Sequence, residues 1–372
     1  MRSVKHNIAT IILLFVNFLF AYKYMSRISN LAWLLAVGLL TAQLLMYFYQ
    51  DKTCLSNHIL IKGILITTVF FWFGVLIYSH IKVPILSLNV DRWSVITSFT
   101  DACLHGDYPY YAKSHSGNPP GPMPFYFLLA FPFYLTGELG LFSIAGYALA
   151  IGWILMHKDK IPQIGFLAFF LLTSIFAIWE IAVRSNIFTN AILVLGLFIY
   201  IENWDFRFSW KFIILALLTG FLLSTRSVFI LVYLIWFLPY VWRKELPFIR
   251  LCGFIFIAVI GFGLTFLPLI LAFPKDFFLM NPFIIESTFL VPRAYTMIFI
   301  VLACCCTFFV KKPEDRYFYG GLNLFMAIGI YFCYHIAKEG LQQAYFGNVV
   351  DISYFILCVP FLLCYMTKFT TQ

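Results

Sequence analysis

The chain has 372 residues, of which 62% are hydrophobic and 11% charged, with a formal net charge of +9 and a mean hydropathy of +0.91. A water-soluble domain carries about 25% charged residues, so a soluble globular fold is excluded, and unbroken apolar runs of about 15–24 residues exclude the alternating segments of a β-barrel. Lys and Arg gather between the apolar runs, where they set topology; no nucleic-acid partner is expected, and membrane lipids are the expected surroundings.

The apolar runs fall near 8–22, 31–49, 60–80, 124–137, 139–156, 162–183, 186–201, 211–224, 226–241, 249–273, 294–310, 317–336 and 351–367. They predict an all-α polytopic membrane protein of about 11–13 transmembrane helices, some of them half-helices or interfacial. No internal repeat and no soluble insertion interrupts them, so residues 1–372 read as a single membrane domain. The first run, within MRSVKHNIATIILLFVNFLFAYKYM, has a basic start and an apolar core but no small-residue cleavage site, which predicts a retained signal-anchor helix. Cys304, Cys305 and Cys306 sit inside an apolar run as small packing residues, and Cys103 stands alone, so no disulfide framework or zinc spacing is expected.

Sidedness follows from the basic loops. HKDK (157–160), ENWDFRFSWK (202–211), WRKELPFIR (242–250) and KKPEDR (311–316) are predicted on the cytoplasmic side. The opposite side then carries the 81–123 loop, Arg184-Ser185-Asn186, Ser224-Thr225-Arg226, and the 274–293 and 338–350 loops. That arrangement allows one crossing between 124 and 156, where two apolar runs lie, so one of the two is expected to be re-entrant or interfacial.

The 81–123 loop is the longest polar stretch. Trp93, Ile96, Thr100 and Cys103 recur at helical spacing beside Phe99 and Leu104, while Asp91, Ser94, Ser98, Asp101 and His105 take other faces. This pattern predicts an interfacial helix lying along the membrane surface. Gly106 is expected to stop it, and Asn118-Pro119-Pro120-Gly121-Pro122-Met123-Pro124 to run as an extended ramp into the next apolar run. Asp91 fits two roles, an N-cap and a catalytic carboxylate at the membrane–water boundary, and the two are compatible. Asp101, His105, Asp107 and His115 are donor types that a divalent metal accepts, but their spacing matches no zinc pattern, so a solvated polar face is the favoured reading.

Arg184 and Arg226 stand at or near the ends of apolar helices, where arginine is costly and therefore a functional candidate. Arg184 follows Glu180 by four residues, which predicts an intrahelical ion pair. Arg226 has no acidic residue within ten positions, so a distant carboxylate or a ligand phosphate is its expected partner. HIAKEGLQQAYFGNVVD (335–351), with Lys338 and Asn348, reads either as a polar wall or lid or as an ordinary solvated loop. Glu286 and Arg293 read the same way.

The stretch Asp91-Arg92-Trp93…Leu104-His105-Gly106-Asp107-Tyr108-Pro109-Tyr110, followed by Asn118-Pro119-Pro120-Gly121-Pro122-Met123-Pro124, resembles the first outer loop of GT-C superfamily glycosyltransferases. It is most similar to glycosyltransferase family 87 and mannosyltransferase-like members, and the resemblance runs in order through residues 85–245. One departure is that Asp91 follows the third apolar run, where the family's catalytic Asp follows the first.

The resemblance implies a hexosyl- or pentosyltransferase that uses a polyprenyl-phosphate-linked sugar and inverts the anomeric carbon. The acceptor would be a lipid, glycan or protein hydroxyl; the short loops and the absence of sorting signals, apart from the resemblance, predict a bacterial inner membrane with the site facing out. Asp91 would be the general base. Arg226 and Arg184, with Lys338, would meet the donor phosphate, with Asn186, Asp101, His105, Tyr110 and Asn118 as further substrate-binding candidates. No cofactor is required by this chemistry, though a divalent metal is compatible with it. No GxGxxG, GxxxxGK[ST] or DxD motif for nucleotide chemistry is present. Two competing readings are a transporter or flippase of lipid-linked sugars and a polysaccharide polymerase.

Overall fold

The computed structural model describes residues 4–27, 29–49, 58–88, 90–156, 164–202, 204, 206–289, 292–347 and 349–368, the side chains at 58, 286–289 and 293 excepted. The HKDK loop (157–160), Asn348 and the side chains of Glu286 and Arg293 lie outside the described residues. Among those described, the chain is all-α, with seventeen α-helices and no strand.

The helices run, in order, α1 Val4–Met25, α2 Ala32–Tyr49, α3 His58–Lys82, α4 Arg92–His105, α5 Pro124–Leu135, α6 Gly140–Met156, α7 Ile164–Leu172, α8 Ile175–Ala182 and α9 Ile187–Glu202. They continue with α10 Trp210–Leu223, α11 Ile230–Trp242, α12 Phe248–Ala272, α13 Pro274–Leu279, α14 Pro282–Phe289, α15 Arg293–Thr307, α16 Pro313–Glu339 and α17 Val359–Lys368.

Five of these, α1, α2, α3, α12 and α16, are long and apolar enough to cross a membrane among the described residues, and the number rises to seven if the bent pairs α5 with α6 and α7 with α8 each form one span. Five shorter apolar helices occupy further predicted runs. Along α12 most of the strongly apolar side chains, among them Ile255, Phe256, Val259 and Leu271, are exposed. A surface that apolar and that open suits hydrocarbon rather than water, so the protein is a multi-pass integral membrane protein.

Two expectations change. The 162–183 run is not one helix: α7 ends at Leu172 and α8 starts at Ile175, with a bend of 43° between them. In hydrocarbon such a break must be satisfied internally. Asn17 of α1 does this, donating Nδ2–H to the Thr173 carbonyl at 3.1 Å and accepting the Ile175 amide on Oδ1 at 2.7 Å. Gln43 adds a bond to the Thr173 hydroxyl at 2.8 Å. The 274–293 stretch, expected as a polar loop, instead carries α13 and α14. Between 124 and 156, α5 and α6 are separated by residues 136–139, with Gly137 at φ +78°, a break that fits either a bent span or the expected re-entrant segment.

Contacts group the chain into two compact units, residues 1–87, 140–189 and 324–372, and residues 88–139 and 190–323. In the first, α1 packs on α2, α8 and α17, and α3 packs on α6, α7 and α8. Aromatic rings fill its core: Tyr147 lies 4.1 Å from Phe188 and 4.9 Å from Trp72, centroid to centroid. In the second, α10 packs on α12, α11 on α15 and α4 on α5. There Phe198 stacks on Trp236 at 4.5 Å. The α10–α12 crossing is close because Gly220 and Gly261 lie in it. A Cβ on Gly220 would come within 1.9 Å of the Ala258 carbonyl oxygen, and one on Gly261 within 2.7 Å of that of Leu217.

Candidate site around Asp91

Helix α4 buries Val95, Ile96 and Phe99 and leaves Asp101, Cys103, Leu104 and His105 exposed. Phe99 stacks on Phe127 of α5 at 3.6 Å, which fixes the helix against the membrane domain. Gly106 ends it as predicted, in a left-handed conformation at φ +79°. The Asp107 amide bonds back to the Ala102 carbonyl at 2.9 Å. After a short 3-10 turn at Pro109–Tyr111, residues 112–123 run without helix until α5 starts at Pro124. Tyr110 is fully buried and donates to the Pro122 carbonyl at 3.0 Å, so it pins the proline segment rather than facing a substrate.

Asp91 stands at the N-cap position of α4, but its side chain makes no cap hydrogen bond. The capping reading is therefore corrected: the carboxylate turns to the far end of its own loop. Its Oδ2 accepts from the Ser114 hydroxyl and from Asn118 Nδ2, each at 2.8 Å. Ser114 Oγ also accepts the Asn118 amide at 3.2 Å, closing the turn that presents both donors. Asp91 Oδ1 takes no hydrogen bond among the described residues, and the residue is half-buried. The result is a carboxylate oriented through one oxygen with the other available.

His115 packs beside this turn. Its ring lies 5.5 Å from Trp93 in a stacked arrangement, with Nδ1 2.7 Å from Ser94 Oγ and Nε2 3.0 Å from the Leu88 carbonyl. Asp101 and His105 do not join Asp91. Asp101 accepts from the Tyr134 hydroxyl of α5, and His105 Nδ1 lies 2.7 Å from the Asp101 carbonyl of its own helix. No group of three or more His, Cys, Asp or Glu side chains is arranged to hold a metal ion among the described residues.

Arg226 reaches the same loop from the α10–α11 connection. The Met123 and Phe125 amides donate to the Thr225 and Ser224 carbonyls at 3.4 and 3.1 Å, which docks the proline segment on the turn that carries Arg226. Its guanidinium lies 5.0 Å from the centre of the Tyr126 ring and is 6% exposed. Asn118 and Met123 are five positions apart, at most ~18 Å of chain. Asp91 and Arg226 are thus held in one loop system without touching.

A further aromatic group lines that system. Tyr108 donates to the Met280 carbonyl, stacks edge-on to Tyr111 at 5.0 Å and lies 5.5 Å from Phe273. Burial, with smaller contributions from Tyr111 and Asp276, pushes the Tyr108 phenol above its ordinary value. Tyr111 is pushed the same way, by desolvation and then by its hydrogen bond to Asp276.

Arg184, Asn186 and Lys338 belong to the other unit. Helix α8 stops at Ala182, and Arg184 takes a left-handed conformation at φ +55°, so it leaves the helical face of Glu180. The expected ion pair is therefore absent: Arg184 donates to the Ala182 carbonyl at 2.8 Å and is 2% exposed. Glu180, fully buried, accepts instead from the Tyr147 hydroxyl at 2.7 Å and from the Ser185 hydroxyl and Phe188 amide at 3.1 Å each. Asn186 is buried beside them in sequence. Lys338, in the last turn of α16, is exposed and pairs with Glu339 at 3.2 Å.

Sequence reasoning missed Ser114 and Tyr147. Neither carries a motif, and a Ser in a Gly- and Pro-rich turn is ordinary turn chemistry. No protein-family model, curated protein sequence or solved structure matches the chain.

Proposed function

We propose that the protein is a glycosyltransferase moving a hexose or pentose from a polyprenyl-phosphate-linked donor to an acceptor hydroxyl on a lipid, glycan or protein. One observation carries this reading: Asp91 is half-buried, held through Oδ2 by Ser114 and Asn118, and open at Oδ1. A general base needs that combination of fixed direction and an uncommitted lone pair. In the proposed step the acceptor oxygen attacks the anomeric carbon and gives its proton to Asp91 Oδ1. The bond to the donor's phosphate oxygen breaks with its electron pair, so the configuration inverts. Arg226, docked on the same loop system, is the proposed partner for the negative charge on the departing phosphate. Arg184, Asn186 and Lys338 lie in the other compact unit and take no part in this proposal. We place the site on the extracytoplasmic face of a bacterial inner membrane, following the basic loops.

Asn at position 91 keeps an oxygen for the Ser114 and Asn118 donors but cannot take a proton. Asp91→Asn is expected to lower transfer by about 10²–10⁴-fold at an unchanged melting temperature. The assay uses purified protein in liposomes with a radiolabelled polyprenyl-phosphate hexose. Transfer at the wild-type rate by the folded variant would remove Asp91 from the mechanism.

A second reading has its own observation. Glu180 is a fully buried carboxylate beside the broken α7–α8 span, and ionisable residues next to interrupted helices mark the pathways of transporters. As a flippase of lipid-linked sugars the protein would move labelled lipid across liposomes with no covalent product, and Glu180→Gln would stop it. Sugar transfer that survives Glu180→Gln and is lost in Asp91→Asn favours the enzyme.

A further inference from the structure

The turn Arg243–Pro247 joins α11 to α12 beside a cavity of about 530 Å³ walled by Tyr240, Val241, Leu246, Pro247, Phe248 and Leu251, with Lys244 at its rim. Phe248 and Leu251 lie in the first turn of α12, a helix long and apolar enough to span a bilayer, and Tyr240 and Val241 lie in the last turn of α11. The cavity therefore lies where hydrocarbon meets headgroups. Trp242, Phe248 and Ile249 expose their side chains around it, with Trp242 Nε1 bonded to Thr307 at 3.1 Å. This is an amphipathic fringe of the kind that sits at the headgroup level.

The charges around the cavity do not balance. Glu245 is already engaged by Arg316 at 3.0 Å and by Arg243 at 3.5 Å. Arg316 is 4% exposed and also donates to the Tyr240 hydroxyl at 2.8 Å, so it is fixed behind that wall residue. Arg243 further donates to the Lys311 carbonyl at 3.0 Å. The Lys244 and Arg250 amides bond back to the Val241 and Pro247 carbonyls, but neither side chain has a hydrogen bond or ion pair among the described residues; Arg250 is half-exposed in the first turn of α12. Arg243 and Arg316 thus share Glu245, Glu202 lies close enough to act on Tyr240, and Lys244 at the rim is the lining cation with no carboxylate partner among the described residues. Lys244 is also held in the left-handed region at φ +53°, where residues other than Gly rarely settle and where strain tends to mark functional positions.

We propose that this cavity binds an anionic phospholipid of the surrounding bilayer, with its phosphate at Lys244 and Arg250 and an acyl chain along Phe248, Leu251 and the open face of α12. Basic pockets at helix ends select anionic headgroups. The ammonium of a zwitterionic headgroup would meet Arg243, Lys244 and Arg250, and like charges disfavour it. A small soluble phosphate would leave the apolar wall facing water. The site is independent of the chemistry proposed at Asp91.

Native mass spectrometry of the detergent-purified full chain tests this, with phosphatidylglycerol and phosphatidylethanolamine of identical acyl chains supplied in equal amounts. Wild type is expected to retain phosphatidylglycerol at least ~5-fold over phosphatidylethanolamine, in line with a coupling of about 1 kcal/mol per basic residue near an anionic surface. Lys244→Gly removes the ammonium while suiting the left-handed backbone. It is expected to lose most of that preference at an equal or higher melting temperature, whereas Lys244→Arg keeps it. Undiminished preference in folded Lys244→Gly overturns the proposal, as does equal retention of the two lipids by wild type. So does displacement of phosphatidylglycerol by an equal concentration of glycerol 3-phosphate, which would make the cavity a soluble-phosphate site.

Discussion

Glu180 is sealed from solvent, and its two carboxylate oxygens meet the Tyr147 hydroxyl, the Ser185 hydroxyl and the Phe188 amide. Truncation would strand three buried donors at about 1–3 kcal/mol each, so Glu180→Ala is expected to destabilise the protein by more than about 3 kcal/mol. Glu180→Gln keeps an oxygen for Ser185 and Phe188, and its amide can donate to a rotated Tyr147 hydroxyl, so about 1 kcal/mol is expected. Thermal unfolding in detergent separates the two. Tyr108 gives a pH dependence. Its folded-state phenol is raised by burial, so its contribution to stability is present below the unfolded tyrosine value of about 10 and is lost as pH rises above it. Tyr108→Phe cannot ionise. Between pH 10 and 12 its melting temperature should fall less steeply than that of wild type, and parallel curves would count against Tyr108 as the sensitive group.

Among the elements, the α10–α12 pair depends on backbones that approach too closely for a side chain. Small residues permit such crossings in membranes, where lipid gives no hydrophobic drive and van der Waals contact must hold the helices. Gly220→Ala would press a methyl group on the Ala258 carbonyl, and a loss of about 1–3 kcal/mol is expected from overpacking. Gly263→Ala, on the partner helix α12 two residues beyond Gly261 and with open space at its Cβ, should be neutral or stabilising by up to about 1 kcal/mol. Equal melting temperatures for the two variants would disprove the close crossing. The α7–α8 break follows the same logic from the polar side. The apolar run gives no sign of stopping, and the break persists because Asn17, from another helix, takes up the freed amide and carbonyl.

For the molecule as a whole, the exposed apolar faces of α2, α3 and α12 require a bilayer. The basic loops predict which end faces which compartment. In a background with the native cysteines replaced, Ser116→Cys should react with a membrane-impermeant maleimide in intact cells. Lys312→Cys should react only after permeabilisation. The reverse pattern would place the Asp91 loop in the cytoplasm and remove the argument for an extracytoplasmic, nucleotide-independent donor.

The sequence alone determined the class, most helix positions, the Gly106 stop and the proline segment, because hydropathy, glycine φ and proline geometry act within a few residues; attention to Asp91 came from the family resemblance. Only the tertiary structure decided what those residues do. Asp91 gives up the local cap for Ser114 and Asn118, 23 and 27 positions away, and Glu180 takes Tyr147, 33 positions away, in place of Arg184. A half-buried or buried carboxylate must find donors wherever packing supplies them. Packing joins segments distant in the chain, so no window of sequence contains the answer.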